Sequence, residues 1–307
     1  MPPKARVSKA STKTRDIPKP LYQDSFPYFQ YVSIVGVHTT LVGFTAFYLP
    51  QSIRLLGPLP IRTADRPQSE FMEALTSRPT LTAGWICAGL CVLQLWWGGW
   101  VRKWCFEQSV SSRTVDEIRM ERAKFNERWF VRLREAIVFT LFVTVVAHIV
   151  IILFGAPLAS HHLHTGFLAF AIALMTVLSP AYALSSPSLA SDTPAMVSRL
   201  NWVRLFAELS PRNAIERAIV YPAIGTVLGA WFGAFPIALD WDRPWQAWPL
   251  PPLYGSLVGY VAGSLVGLTV NSVIWLAMQQ SQSSSPSTKI QVKLRIYDGG
   301  NNLRGYS

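Results

Sequence analysis

The segment that decides the fold is "LYGSLVGYVAGSLVGLTVNSVIWLAM", residues 253–278, which carries no charged side chain. An α-helix rises about 1.5 Å per residue, so a helix of this length reaches across a hydrocarbon core of roughly 30 Å. The segment therefore predicts a transmembrane helix. Glycines recur within it at every fourth position, at Gly255, Gly259, Gly263 and Gly267.

Five more apolar segments of similar length precede this one. Only 15% of the 307 residues are charged, against roughly 25% in a soluble domain. Together these features predict an all-α, polytopic membrane protein with one six-helix transmembrane domain over residues 28–278. The expected spans are about 28–49, 80–101, 135–154, 163–184, 217–239 and 253–278.

Polar segments flank the transmembrane domain. Residues 1–27 are rich in Lys, Pro, Ser and Thr, and residues 279–288 read "QQSQSSSPST". Neither buries enough apolar surface to offset the entropy of ordering. We therefore expect a disordered basic tail over 1–27 and a second tail over 279–307.

The basic residues are distributed unevenly between the two sides of the predicted membrane domain. With both tails on one side, that side holds 23 Lys and Arg and the other holds 5. Cytosolic segments near membrane spans carry this excess of positive charge. The pattern predicts cytosolic N- and C-termini, and it explains the net charge of +11 by topology and lipid contact, without a nucleic-acid partner.

Glycines also repeat in the fifth predicted span, at Gly225, Gly229 and Gly233. Glycines four residues apart line one helix face and allow two backbones to approach closely in a membrane. We expect the fifth and sixth helices to pack through their glycine faces. Docking of a glycine face against another membrane protein is the alternative.

Residues 114–133 predict an amphipathic helix on the membrane surface. Thr114 and Glu117 have the spacing of a capping box, and apolar residues then recur close to helical spacing among charged ones. Within the spans, His38 and His148 are candidates for interhelical hydrogen bonds, and Pro180 and Pro222 are expected to interrupt their helices.

The last predicted loop, "LDWDRPWQAWPLPP" at 239–252, concentrates chemically demanding side chains. Tryptophans are favoured at headgroup depth, prolines stop both helices, and charges are tolerated at the interface but not at the bilayer centre. Composition does not explain why two aspartates flank a tryptophan beside an arginine. The candidate partner- or lipid-binding residues are Asp240, Trp241, Asp242, Arg243, Pro244, Trp245 and Gln246.

The longer run "GAWFGAFPIALDWDRPWQAWP" resembles the signature of the PIG-F family of glycosylphosphatidylinositol (GPI) anchor biosynthesis proteins. Ala238 departs from that signature, which usually has a second proline there, and "FGAPL" at 154–158 is similar to a weaker family element. The matching positions are Gly229, Ala230, Trp231, Pro236, Leu239, Asp240, Trp241, Asp242, Arg243, Pro244, Trp245, Gln246, Trp248 and Pro249.

The resemblance implies a multi-pass protein of the endoplasmic reticulum membrane. It implies a non-catalytic subunit that binds and supports the large ethanolamine phosphate transferases, which add ethanolamine phosphate to mannoses of the GPI precursor. On this basis we expect no catalytic residue, no cofactor and no metal site in this chain. Membrane lipids, including phosphatidylethanolamine and the GPI precursor, are further candidate partners.

An intramembrane phosphatidylethanolamine-binding protein or transferase is the alternative. Tryptophan faces beside the carboxylates of Asp240 and Asp242 could hold an ammonium group. His161, His162 and His164 lie in another loop on the same predicted side, and could add a metal or acid-base site. Histidines in a short exposed turn are more often solvated, so the subunit interpretation is preferred. A transporter would require paired internal repeats, which the sequence does not show.

Overall fold

The computed structural model describes residues 26–57, 68–111, 113–157, 160–188, 190–239 and 241–284. These residues form ten α-helices, with no β-strand among them. The helices are α1 (Tyr28–Phe47), α2 (Glu70–Thr76), α3 (Pro79–Val110), α4 (Val115–Glu127), α5 (Trp129–Leu153), α6 (His162–Ala173), α7 (Ser179–Leu184), α8 (Thr193–Trp202), α9 (Ala214–Ala234) and α10 (Leu250–Ser284).

Six helical stretches in this described part are long and apolar enough to cross a membrane, which confirms the prediction of a multi-pass, all-α membrane protein. The helices of the second and last spans, α3 and α10, run past their predicted ends, to Val110 and Ser284. Hydropathy locates the hydrocarbon crossing, whereas a helix continues until a residue stops it, and neither extension contains Gly or Pro. The six stretches are Tyr28–Leu55, Pro79–Val110, Trp129–Leu153, His162–Leu184, Ala214–Ala238 and Leu250–Ser281.

The bundle has two distinct ends. At the end where α1 begins and α10 finishes, here called the terminal end, the ring of Tyr28 stacks on that of Trp275 at 4.4 Å. At the opposite end, here called the loop end, the hydroxyl of Tyr254 donates a hydrogen bond of 3.0 Å to the carbonyl of Ala46. The first and last spans are therefore neighbours along their length.

The two proline-containing spans differ from each other. The fourth span changes from α-helix to a π-helical turn at Leu174–Leu178 before Pro180, as expected of a helix that must accommodate a proline. In contrast, α9 continues through Pro222, so the expected interruption there is wrong. The hydroxyl of Thr226 donates to the Pro222 carbonyl at 2.8 Å, within an otherwise continuous helix.

Val115–Glu127 of the predicted amphipathic segment form α4, and its predicted N-terminus is confirmed, whereas residues 129–133 already belong to α5. The backbone N–H of Thr114 donates to a carboxylate oxygen of Glu117 at 3.1 Å. No residue of α4 is buried, but the guanidinium of Arg102 lies 3.8 Å from the ring centre of Phe125. This contact ties α4 to the end of the second span.

His38 is buried deep in the bundle but does not behave as expected. Its ring stacks against Trp97 at 5.2 Å and meets the edge of Tyr260 at 5.6 Å. Its Nε2 has no hydrogen-bond partner among the described residues. The predicted interhelical hydrogen bond is therefore not made by Nε2, and aromatic packing holds the ring in place.

Candidate functional site

Helices α9 and α10 carry the loop of interest, and their backbones approach at the glycines. A Cβ atom built on Gly229 would lie 2.9 Å from the Cα of Gly259, and one built on Gly255 would lie 2.8 Å from the Cα of Gly233. Real Cβ atoms do not reach such distances, so any side chain at these positions would force the two helices apart. The loop therefore joins two helices in close backbone contact.

The close approach does not continue to the terminal end. A Cβ atom on Gly263 would still lie 2.9 Å from the Cα of Pro222, but one on Gly267 would meet the carbonyl oxygen of Arg217 at 3.4 Å. That distance is ordinary van der Waals contact. The two helices are thus tightest towards the loop end, and Gly267 is not under the same steric constraint as the other glycines.

The loop is short and folds as two turns of 3-10 helix. α9 ends at Ala234 and passes directly into the first turn, Phe235–Ala238. The second turn, Pro244–Gln246, precedes α10. The peptide bond between Trp248 and Pro249 is cis. Of the predicted site residues, Asp240 lies outside the described part of the chain.

Gln246 connects the two turns through its carboxamide. Its side-chain NH₂ donates to the carbonyl oxygens of Pro236 and Leu239, at 2.6 and 2.7 Å. Its side-chain oxygen accepts from the backbone N–H of Arg243 at 2.8 Å. One side chain therefore bonds three backbone groups of the loop, and two of these, the carbonyls of Pro236 and Leu239, also accept from the backbone N–H groups of Leu239 and Trp241.

Trp248 attaches the loop to the rest of the bundle. Its indole N–H donates to the hydroxyl of Thr165, in the first turn of α6, at 3.1 Å. The sequence prediction did not include Trp248 among the site residues. Its position within the family signature was the available signal, but the identity of its partner depends on tertiary structure.

The two charged side chains that are described in the loop do not pair with each other. Asp242 and Arg243 are exposed, and no ion pair between them occurs among the described residues. Asp242 has a φ of 45°, in the left-handed region that Asp tolerates better than most residues. The side-chain bonds that hold the described loop thus come from Gln246 and Trp248, not from a pairing of Asp242 with Arg243.

An apolar edge extends from the last turns of α9 into the loop. The rings of Trp231 and Phe235 are 4.9 Å apart, and those of Trp241 and Trp245 are 5.8 Å apart. The members of this edge that are at least half exposed are Trp231, Phe232, Phe235 and Trp241. We call these four residues the aromatic edge.

The histidines of the third loop lie at the same end of the bundle. His164 Nε2 is 2.8 Å from the hydroxyl of Thr80, and its ring meets that of His161 at 4.8 Å. His161 and His162 are exposed. Among the described residues, no group of three His, Cys, Asp or Glu side chains is placed to hold a metal ion.

Comparison with protein families identifies one matching family model, that of the "GPI biosynthesis protein family Pig-F". The match covers residues 60–268, which is more than half of the chain. It includes α9, the loop that follows it and α10 as far as Leu268.

Curated proteins with similar sequences come from animals and fungi. The "GPI ethanolamine phosphate transferase, stabilizing subunit" of Mus musculus is 34% identical over 135 residues, covering 44% of this chain and 54% of that protein. The "Glycosylphosphatidylinositol anchor biosynthesis protein 11" of Aspergillus fumigatus is 38% identical over 126 residues, covering 41% and 37%. The alignment thus covers about half the length of the mouse relative and a smaller share of the length of the fungal one. No solved structure matches the chain.

Proposed function

Because this chain belongs to the GPI biosynthesis protein family Pig-F, we propose that it is a non-catalytic membrane subunit for ethanolamine phosphate addition to mannose of the GPI precursor. Its partner would be a large ethanolamine phosphate transferase of the endoplasmic reticulum membrane. The mouse relative's name, a stabilizing subunit of such a transferase, supports this assignment.

The observation that carries the proposal is the aromatic edge, which runs from the end of α9 into the loop held by Gln246. Its four side chains are at least half exposed, and the rings of Trp231, Phe232 and Phe235 contact one another. The carboxamide of Gln246 is engaged with backbone groups. A preorganised surface loses little entropy on binding, and Trp and Arg are common anchors of protein interfaces. The arrangement suits docking of a partner helix or of a partner surface at the membrane interface.

Docking also provides a physical route to stabilisation. A subunit that binds only the folded form of a transferase raises its stability by mass action, by about 2.7 kcal/mol when present at 100 times its dissociation constant. No chemical step has to occur on the subunit for this effect. The proposed activity is therefore binding, with the reaction carried out by the partner.

The proposed orientation places both termini in the cytosol and the loop end in the lumen. The distribution of 23 basic residues on one side and 5 on the other supports it. In that orientation the aromatic edge and Arg243 lie at the luminal headgroup region. A transferase could contact them there through its membrane spans or its luminal surface.

The direct test is purification of the tagged chain from native membranes in a mild detergent, followed by identification of proteins present in equal amount. A large ethanolamine phosphate transferase is the expected companion. Recovery of the chain alone, with ethanolamine phosphate transfer activity in the purified fraction, would contradict the proposal.

A phosphatidylethanolamine site is the second candidate function, and one observation favours it. The rings of Trp241 and Trp245 meet at 63°, next in sequence to the exposed carboxylate of Asp242. Aromatic faces beside a carboxylate can bind an ammonium headgroup. Asp242→Asn distinguishes the partner-binding function from the lipid-binding function. Loss of ethanolamine phosphate transfer with full binding of the transferase would favour the lipid site.

A further inference from the structure

A cavity at the terminal end of the bundle lies far from the loop between α9 and α10. It has a volume of about 60 Å³ and is lined by residues from the start of α1, the end of α3, the start of α9 and the end of α10. We propose that this cavity binds the phosphate group of a membrane lipid. The six lining residues that matter are Tyr28, Gln108, Asn213, Arg217, Asn271 and Trp275.

Arg217 supplies the positive charge. Its Nε donates to the side-chain oxygen of Asn271 at 2.6 Å, and its Nη1 makes a long contact of 3.4 Å with the Arg212 carbonyl. No carboxylate forms an ion pair with Arg217 among the described residues. Guanidinium groups bind phosphate through two parallel N–H donors. The remaining N–H groups of Arg217 can serve as these donors.

The nearest acidic residue in sequence is already engaged. Both oxygens of Glu216 bond the guanidinium of Arg204, at 2.7 and 2.9 Å, and one also accepts from the N–H of Arg212 at 2.6 Å. The hydrogen bonds that Arg204 donates to Glu216 raise the pKa of Arg204 above its ordinary value. Glu216 thus pairs with Arg204, and it forms no ion pair with Arg217 among the described residues.

Asn271 holds the guanidinium in position. It is almost fully buried, and its NH₂ donates to the Ala214 carbonyl at 3.0 Å while its oxygen accepts from Arg217. Both polar ends of the amide are therefore used. Because these bonds are made, the amide of Asn271 fixes the orientation of the Arg217 guanidinium and does not itself bind the phosphate.

The opposite wall is aromatic. Tyr28 and Trp275 stack at 4.4 Å with an interplanar angle of 9°, and the Tyr28 hydroxyl bonds that of Ser272 at 2.5 Å. Such rings favour the interface between headgroups and acyl chains. A cavity with a cationic part and an aromatic part, at the end of a bundle of membrane-spanning helices, fits a phosphate attached to a lipid better than a freely hydrated ion.

The size of the cavity sets what enters it. A volume of about 60 Å³ accepts a phosphate group but not a whole lipid, so the acyl chains would lie outside, along the helices. The recognised chemistry is therefore the phosphate itself. A free phosphate ion shares that chemistry, and the test below distinguishes the two sources.

The experiment uses the full chain, purified in an uncharged maltoside detergent. Thermal unfolding is followed while dioctanoyl phosphatidic acid, dioctanoylglycerol or inorganic phosphate is added, and an apparent affinity is obtained from the shift in midpoint. Phosphatidic acid should stabilise the wild-type chain, and dioctanoylglycerol, which lacks the phosphate, should not. Arg217→Gln should weaken the phosphatidic acid effect by about tenfold or more, the value expected for a hydrogen bond to a charged group.

Arg212→Gln is the matched control, because Arg212 is exposed and only its backbone contacts Arg217. It should leave the phosphatidic acid affinity nearly unchanged. An equal response of both variants, or no response of the wild type, would overturn the proposal. An inorganic phosphate effect as large as that of phosphatidic acid would keep the phosphate site and assign it to a soluble ion instead of a lipid.

A second measurement does not depend on the folding of a variant. A phosphatidic acid carrying a diazirine group near the headgroup is photo-crosslinked to the wild-type chain, and the labelled peptides are identified. Labelling should fall on the end of α10 that contains Trp275 or on the start of α9. Labelling confined to other parts of the chain would contradict the proposal.

Discussion

The carboxamide of Gln246 shows how one side chain can hold an irregular loop. A side-chain amide offers two donors and an acceptor in fixed directions, and the structure uses all three functions on backbone groups. The sequence could predict that Gln246 belongs to the site. It could not predict this role, because the carbonyls of Pro236 and Leu239 reach Gln246 only after the loop has folded.

Gln246→Glu should destabilise the loop. Glutamate keeps an acceptor for the Arg243 N–H but cannot donate to the two carbonyls, and each lost bond costs about 0.5–1.5 kcal/mol. The free energy of unfolding in detergent should therefore fall at neutral pH. The difference from the wild type should shrink near pH 4, where the carboxyl group becomes protonated and can donate one bond.

Asp242→Asn is the control for this variant, because Asp242 is exposed in the same loop and Asn also tolerates its positive φ. Its free energy of unfolding should match that of the wild type. Equal stability of the Gln246→Glu chain and the wild type would show that the carboxamide does not hold the loop.

Trp248 and Thr165 should be energetically coupled. Trp248→Phe removes the indole N–H that donates to the Thr165 hydroxyl, and Thr165→Val removes the acceptor. A double-mutant cycle on the free energy of unfolding should give a coupling of about 1 kcal/mol. Strict additivity of the two substitutions would mean that this bond does not attach the loop to α6.

At the scale of the helices, composition predicts more than it does for single contacts. Six apolar segments predicted six spans, and the structure confirms them. The sequence did not predict that α9 continues through Pro222. A helix in a membrane can tolerate a proline when neighbouring groups bond the backbone carbonyl that the proline leaves unpaired. Glycine spacing indicates which helix face allows close approach, but only the folded structure shows that the approach relaxes at Gly267.

Gly259→Ala should separate α9 from α10. Its new Cβ would lie 2.8 Å from the carbonyl carbon of Gly225 and 2.9 Å from the Cα of Gly229, and overpacking of this kind costs about 1–3 kcal/mol. Gly267→Ala is the matched control on the same helix, where a Cβ has room. It should be neutral or should stabilise by up to about 1 kcal/mol through helix propensity.

The measurement is the free energy of unfolding of each variant in detergent. A lower stability of the Gly259→Ala chain alone supports glycine packing between these two helices. If both substitutions have the same effect, the spacing of glycines is not what brings the helices together.

For the whole molecule, the distribution of charge predicts the orientation. We expect both termini in the cytosol, because the side that holds them carries most of the Lys and Arg. Protease added to sealed microsomes should remove epitope tags from both ends. Protection of either tag would contradict this topology and place the loop between α9 and α10 in the cytosol.

The proposed subunit role makes the loop end a binding surface rather than a reaction centre. Trp241 belongs to the aromatic edge and Arg243 is exposed beside it, so both are available as anchors. Truncation of an interface anchor costs about 1–4 kcal/mol of binding. Exposed charges that are not anchors contribute about 0–1 kcal/mol, as we expect for Asp242.

The most direct test measures transferase recovery and ethanolamine phosphate transfer together, in cells that carry Trp241→Ala, Arg243→Ala or the Asp242→Asn control. We expect the first two substitutions to reduce the transferase that co-purifies with the chain and to reduce transfer in proportion, while the control retains both. Full co-purification of the transferase by the alanine variants, with transfer abolished, would contradict the account and favour a chemical or lipid-binding role for the loop.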